Sequence, residues 1–396
     1  MAEWLKTSLI DIVELIGGGT PKTSKAEYWG GNINWLSVKD FNNENRYVYS
    51  TEKTITEEGL NNSSTKLLRK DDIIISARGT VGELAMIPFP MAFNQSCYGI
   101  RAKDGINSTF LYYLIKHSVR KLKSMTHGSV FDTITRDTFA NIEVAIPDIE
   151  TQQRIAKMLA DIDDKVENNQ RINNNLLEQA LAIYKDWFCD YALSDGILPE
   201  NWKITTIDAI SSLVTRGIAP KYDDSSDQIV LNQKCIRDHT IDISLSRRHL
   251  PKKINEKWIS KGDLLINSTG TGTLGRVAQV WFEANNMTVD SHVTIVRPKD
   301  PILQSYIGFW GLSHESEIEA QHTGSTGQTE LPRDRVKAME LPLPDEDTLS
   351  KFNELVIPMT STVISNQEEN DRLSQLRDAL LPKLMSSELD VSYIEL

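Results

Sequence analysis

Along residues 155–187 the seam-forming side chains return at alternating intervals of four and three: Ile155, Leu159, Ile162, Val166, Asn169, Asn173, Leu176, Ala180, Ile183 and Trp187. That spacing keeps one stripe of a helix facing a partner helix and predicts a heptad seam. Adding 197 to each number gives Phe352, Val356, Met359, Val363, Asn366, Asn370, Leu373, Arg377, Leu380 and Leu384, so the seam and its central asparagines occur twice. A seam asparagine needs a polar partner and thereby favours one register. If the helices run antiparallel, Asn169 and Asn173 meet Asn366 and Asn370 near the middle. The open alternative is that each helix packs only on its own domain. Pro358 should kink or interrupt the second helix, and Arg377 stands where the seam wants an apolar residue.

Shorter patterns fill the rest of the chain. "DDIIISA", "CYGIRA", "DLLINS" and "HVTIVRP" are buried or alternating runs that predict strands, and "STFLYYLIKHSVRKLK" has the spacing of an amphipathic helix. In "SLIDIVELIGG", Leu9, Ile12, Val13 and Ile16 also follow helical spacing, which predicts a helix there and no strand. The fold class is α/β, with two mixed domains and two long helices forming an antiparallel coiled coil.

The duplication extends beyond the helices. "LRKDDIIISARGTVG" returns as "ISKGDLLINSTGTGTLG" and "TRDTFANIEVAIPD" as "PRDRVKAMELPLPD", at offsets between 191 and 199 residues. This settles "LIGGGTPKTS" (15–24), which looks like the start of a phosphate-binding loop. Such a loop needs a glycine before its lysine, after a buried strand. Here Pro21 takes that place, and the second copy, "TRGIAPK", loses two of the three glycines. The shared element is a turn into an extended segment, and "GTGTLG" reads as a glycine-rich hairpin. Either backbone could approach DNA phosphates closely.

With 396 residues, 40% of them hydrophobic, the chain has room for two or three domains. "MAEWLKTSLIDIVEL" carries acids where a signal peptide needs an apolar core and no run reaches membrane-span length, so the expected location is cytoplasmic. Cys97, Cys189 and Cys235 lack CxxC spacing or a histidine pair, which predicts free thiols and no metal site. The net charge of −12 seems to argue against nucleic acid until it is divided. Residues 1–147 carry 17 basic and 16 acidic side chains and 196–344 carry 17 and 18, whereas 148–195 carry 5 and 10 and 345–396 carry 4 and 11. The acid sits on the helices, leaving two near-neutral domains to meet a duplex. About 33 helical residues give a rod of roughly 50 Å, enough to span half-sites one DNA turn apart.

The tandem halves, the "GGGTPK" opening, "GSVFDTITRDTFANIEVAIPDIETQQRIAKMLADID" and the paired helices resemble the specificity subunit of a type I restriction-modification system over essentially the whole chain. The resemblance implies target-recognition domains at 1–147 and 196–344, with conserved spacer helices at 148–195 and 345–396. It also implies a sequence-specific DNA-binding subunit that reads one half of a split target with each domain. Two DNA-methylation subunits, which use S-adenosylmethionine to methylate adenine, would dock on the helices. Restriction subunits consuming ATP with Mg²⁺ could join. The family's "PxxEQ" signature reads "PDIETQQ" in the first half and "PDEDTLS" in the second.

No Asn/Asp-Pro-Pro-Tyr/Phe tetrapeptide or F-x-G-x-G is present, so the chain is expected to have no catalytic residues, bound cofactor or turnover of its own. The residue types that reach base edges or phosphates single out Arg78, Thr80, Gln95, Ser96, His127 and Ser129 in the first half. Their counterparts are Thr269, Thr271, Ser291, His292, Thr323, Ser325 and Gln328. Arg247, Arg248, Lys252 and Lys253 in "RRHLPKK" are phosphate-contact candidates, against the alternative of a solvated charge run. His127 and His292 read equally as structural histidines, and Arg136 and Arg333 as partners of Asp137 and Asp334. Rival readings are a duplicated scaffold gripping two proteins without DNA, and a self-sufficient methyltransferase or nuclease. Steep salt dependence of DNA binding separates the first, and turnover by the purified chain the second.

Overall fold

The apolar runs of the two sequence halves become the central strands of two separate compact units. The structure, a computed structural model, describes residues 4–43, 45–125, 133–251, 257–270, 272–324 and 329–395. It divides into two units, Met1–Asn169 with Glu369–Leu396, and Gln170–Glu368.

In the first unit, Val13–Gly17, Cys97–Ala102, Ile73–Ser76 and Leu84–Met86 form an antiparallel sheet in that order. A second sheet runs Lys53–Ile55, Trp29–Leu36, Met91–Phe93 and Leu67–Leu68, with its central pair parallel. Leu5–Ser8 pairs with Glu143–Ile146. The helix Ser108–Met125 buries Phe110, Leu111 and Ile115 in one core with Ile73, Ile75 and Ile100. The second unit repeats the scheme. Its four-stranded sheet runs Ser211–Arg216, Val293–Pro298, Leu264–Asn267 and Val277–Gln279, and Lys203–Thr206 pairs with Glu340–Leu343. The parallel pair recurs as Ile229–Leu231 beside Met287–Val289.

Two helices of 40 residues follow, Ile149–Phe188 and Glu346–Met385. Both begin at an aspartate that caps exposed amide groups. Thr151 N and Oγ1 donate to Asp148 at 2.9 and 2.8 Å, and Thr348 N and Oγ1 donate to Asp345 at 3.0 and 2.9 Å. In the first unit Asn169 Nδ2 donates to Asn370 Oδ1 at 2.9 Å. In the second Asn366 Nδ2 donates to Asn173 Oδ1 at 2.8 Å, and Phe352 packs on Phe188 at 4.9 Å between ring centres. Within each unit the two helix segments therefore pair antiparallel, and the alternative of each helix packing on its own domain alone falls.

Two expectations need correction. "SLIDIVELIGG" is a short 3₁₀ turn, Leu9–Ile12, followed by the strand Val13–Gly17. Inward Leu9 and Ile12 from the turn, with Val13 from the strand, mimic one helical stripe. Pro358 does not interrupt its helix. It lies on the exposed face, where a carbonyl deprived of its amide partner meets water, and Thr362 Oγ1 donates to the Pro358 carbonyl at 2.9 Å. Arg377 does occupy the seam, 4% exposed, and its Nη1 donates to Asp163 Oδ1 at 2.9 Å. Tyr113 Oη donates to the other Asp163 oxygen at 2.6 Å. Burial works to lower the Arg377 pKa, but the charges of Asp163 and Asp378 outweigh it and the value is raised.

Candidate nucleic-acid interface

The hairpin joining Ile73–Ser76 to Leu84–Met86 carries the first set of candidates. Buried Ser76 ties its turn: Ser76 Oγ donates to the Thr80 carbonyl at 2.5 Å and accepts from Glu83 N at 2.8 Å. Gly79 and Gly82 take φ of 79° and 83°, where other residues are strained. Ala77 sits below, its amide donating to the Ser96 carbonyl at 2.8 Å and its carbonyl accepting from Ile134 N at 3.0 Å. Arg78 and Thr80 are thereby pushed out, exposed, beside Ser96.

Arg78, Thr80 and Ser96 line one cleft of about 400 Å³ with Trp35, Lys39, Asn42, Lys53 and Asn94. Two acids, Asp40 and Glu52, also border it. Asp40 is occupied internally, accepting from Ser37 N at 2.7 Å, Ser37 Oγ at 2.8 Å and Glu52 N at 2.8 Å. The guanidinium of Arg78 has no partner among the described residues and is available to a ligand. Gln95 lies at the edge, held by Thr20 of the glycine-rich opening. That opening backs onto two of the lining residues, with Trp35 Nε1 donating to the Gly19 carbonyl at 3.0 Å and Gly18 close against Asn94, and it is not a phosphate cradle. A Cβ on Gly18 would fall 2.0 Å from the Asn94 carbonyl oxygen, and one on Gly217 2.0 Å from that of Val289. Gly217 is the glycine that the second copy retains because backbone passes there at contact distance.

The second unit builds the same frame with other side chains. Ser268 takes the place of Ala77, its amide donating to the His292 carbonyl at 2.7 Å and its carbonyl accepting from Leu331 N at 2.8 Å. Thr269 then stands where Arg78 stands, and His292 where Ser96 does. Thr269 Oγ1 and His292 Nδ1 share a hydrogen bond of 2.6 Å, and the backbones of Thr269 and Thr323 both bridge to Glu330. Ser291 is half-buried beside them. Arg216 adds positive charge, with Nη1 2.6 Å from Glu330 Oε1, and Lys257 Nζ donates to the Arg216 carbonyl. Burial, then the charge of Arg333, lowers the Lys257 pKa.

The remaining candidates are less concentrated. Arg247 lies 3.5 Å over the Tyr222 ring, and Arg248 Nη1 donates to the Ser226 carbonyl at 2.7 Å, so both are partly engaged by their own unit. Arg333 Nε is 3.5 Å from Asp334, whereas Arg136 donates to the Leu15 carbonyl at 3.3 Å. His127, Ser129, Lys252, Lys253, Thr271, Ser325 and Gln328 lie outside the described residues. Sequence reasoning missed Lys39, Asn42, Lys53, Arg216 and Lys257, since nothing local marks them and only the sheets bring them to the hairpins.

Among the described residues no cluster of His, Cys, Asp or Glu has a metal-binding arrangement. Cys97 and Cys235 are buried free thiols and Cys189 is half-buried; burial pushes the Cys97 pKa up to about 12. No helix among the described residues is long and apolar enough to cross a membrane.

Residues 1–178 match the family model of the type I restriction modification DNA specificity domain. The chain is 29% identical to the type I restriction enzyme MjaIX specificity subunit of Methanocaldococcus jannaschii, over 98% of this chain and 94% of that one. It is 32% identical to the EcoR124I/EcoR124II specificity subunit of Escherichia coli over 41% of each. The fold resembles the crystal structure of a type I restriction-modification S subunit from M. genitalium, with a TM-score of 0.59, 15% identity and 96% of both chains covered.

Proposed function

We propose that this chain is a member of the family of type I restriction-modification specificity subunits, that it is the non-catalytic DNA-reading member of its complex, and that it recognises a target in two parts. Residues 1–147 read one part and 196–344 the other, each through its hairpin site. The helical segments 148–195 and 345–396 space the two and carry two DNA-methylation subunits. Those subunits supply S-adenosylmethionine, and restriction subunits, where they join, supply ATP and Mg²⁺ chemistry; this chain holds none of these groups.

One observation carries this reading: the hydrogen-bond frame is repeated, but the side chains mounted on it differ. Arg78 and Ser96 in one copy become Thr269 and His292 in the other. A protein gripping two identical partners would repeat its contacts, whereas a reader of two different half-sites must change them. Arginine suits guanine edges, while threonine and histidine offer single hydrogen bonds and methyl contact. The near-neutral charge of each recognition segment also keeps long-range repulsion from phosphate low.

The test is the map of methylated adenines in a host carrying this chain and its methylation subunit. A two-part motif is expected, and exchanging residues 1–147 for another recognition domain should change one part only. A motif altered in both parts, or in neither, would refute the assignment.

A further inference from the structure

The central asparagines do not distinguish the two halves. Asn169 meets Asn370 and Asn173 meets Asn366. Because each pair is related by the 197-residue offset, a first half paired with a second copy of itself would bring Asn169 to Asn173 and keep the asparagine–asparagine contacts, losing only the 2.7 Å bond from Asn169 Nδ2 to Glu369 Oε2. The same holds for the second half. Register is fixed by these residues, but the choice of partner is not.

Ion pairs in the first unit break this equivalence. Arg377 Nη1 is 2.9 Å from Asp163 Oδ1, Lys165 Nζ is 3.1 Å from Glu369 Oε2, and Arg120 Nη1 is 2.8 Å from Asp378 Oδ1. Every pair takes one residue from each half of the sequence. At the offset-related places stand Thr360 with Ala180, Thr362 with Ile172, and, at the offset of 196 that relates Cys97–Ala102 to Val293–Pro298, Ser316 with Leu181. Ala180 is buried in the second unit's core, and the Thr360 hydroxyl donates to carbonyls of its own helix.

A first half paired with itself would set Asp163 against Ala180, Lys165 against Ile172 and Arg120 against Leu181. Asp163, 4% exposed, would keep the Tyr113 hydroxyl but lose its guanidinium. A second half paired with itself would set Arg377 against Thr360 and Asp378 against the uncharged Ser316, leaving both without their ion-pair partners. Removing one partner of a buried ion pair is far more costly than losing an exposed one. We propose that these cross-half ion pairs make the helix pairing heterotypic, so that the first half accepts the second half and rejects a second copy of itself.

The experiment starts from the folded full chain carrying a protease site after Gly196, an exposed stretch between helix and second domain. After cleavage the halves are exchanged and their pairs counted by native mass spectrometry. Heterotypic pairs should exceed homotypic ones by roughly 100-fold, the factor that a buried uncompensated carboxylate implies. Asp163→Thr with Arg377→Ala and Lys165→Thr with Glu369→Ile, which copy the other junction, should bring the two kinds of pair close to a random mixture. Because Lys165 and Glu369 are half exposed, Lys165→Glu should fold and lower the preference severalfold, with Glu369→Lys restoring it. Homotypic pairs forming as freely in the unaltered chain as in the matched variant, or no restoration by Glu369→Lys, would overturn the proposal.

Discussion

Arg101 grips Asp72 with both prongs of its guanidinium, Nε to Oδ1 at 2.9 Å and Nη2 to Oδ2 at 2.7 Å. Arg297 repeats the fork on Asp263 at 2.8 and 2.6 Å. Both carboxylates are almost wholly buried, and both also accept a backbone amide, from Arg69 and Ser260 respectively. Each fork joins the start of one strand to its neighbour, at the end of that strand away from the candidate hairpin. Arg297→Ala should cost about 3 kcal/mol by leaving Asp263 buried and uncompensated. Arg297→Lys should recover only part, because an ammonium cannot reproduce the fork. Hydrogen exchange of Leu264–Asn267 measures the loss in the second unit alone; unchanged protection would contradict the assignment.

Arg78 and Lys53 line the same cleft but should fail differently. A guanidinium bonded to two acceptors on one base edge discriminates by about 1–3 kcal/mol. Arg78→Ala should therefore relax one position in one part of the methylated motif and leave the other part intact. Lys53 acts as a point charge over the Trp29 ring, 5.9 Å from its centre. Lys53→Ala should weaken all sequences alike and reduce the salt slope of binding by about one. Competition binding of the assembled complex across a single-base library separates the two outcomes. An Arg78 variant that loses affinity uniformly would reassign it to the phosphate backbone.

The periodic features were legible in the chain, and the contacts between remote residues were not. The duplicated seam and the runs around Ile73–Ser76, Cys97–Ala102 and Leu264–Asn267 announce themselves, because a period of 3.5 or a short apolar block is a local property. Val13–Gly17 was misread because a turn and a strand together placed apolar residues at helical intervals. Arg377 looked like a flaw in the seam because its partner, Asp163, lies 214 positions away on another element. For the same reason the hairpin residues Arg78, Thr80 and Thr269 could be chosen from sequence, while Lys53, Arg216 and Lys257 could not.

Asp345 makes a pH prediction with a definite sign. Backbone N–H donation from Thr348 is the largest influence; against opposing burial, and helped by the Thr348 hydroxyl, Trp202 and Asn201, it lowers the pKa from 3.8 to about 2. The folded value lies below the unfolded one, so this stabilisation is complete above pH 3.8 and fades as pH falls towards 2. Asp345→Ala should cost about 1 kcal/mol at neutral pH, as the loss of a helix cap does. The difference from the unaltered chain should shrink in the acid range. A gap that persists unchanged at pH 2 would mean that packing, not the charged cap, is what the substitution removed.

The proposed spacing role of the helices follows from their pairing. Because the segments run antiparallel in each unit, removing seven residues from one helix alone would slide its asparagines out of reach of their partners. Removing a matched heptad from both, on the same side of Asn169 to Asn370, restores the seam because the hydrophobic repeat is seven. Seven helical residues span about 10 Å at ~1.5 Å each, close to three base pairs at ~3.4 Å per pair. The paired deletion should thus shorten the unspecified gap in the methylated motif by about three base pairs while both specified parts stay the same. Single deletions should abolish methylation instead, since the register is lost. If the paired deletion left the gap unchanged, the helices would hold the partner subunits without setting the distance between half-sites, and spacing would have to be assigned to the DNA-facing loops.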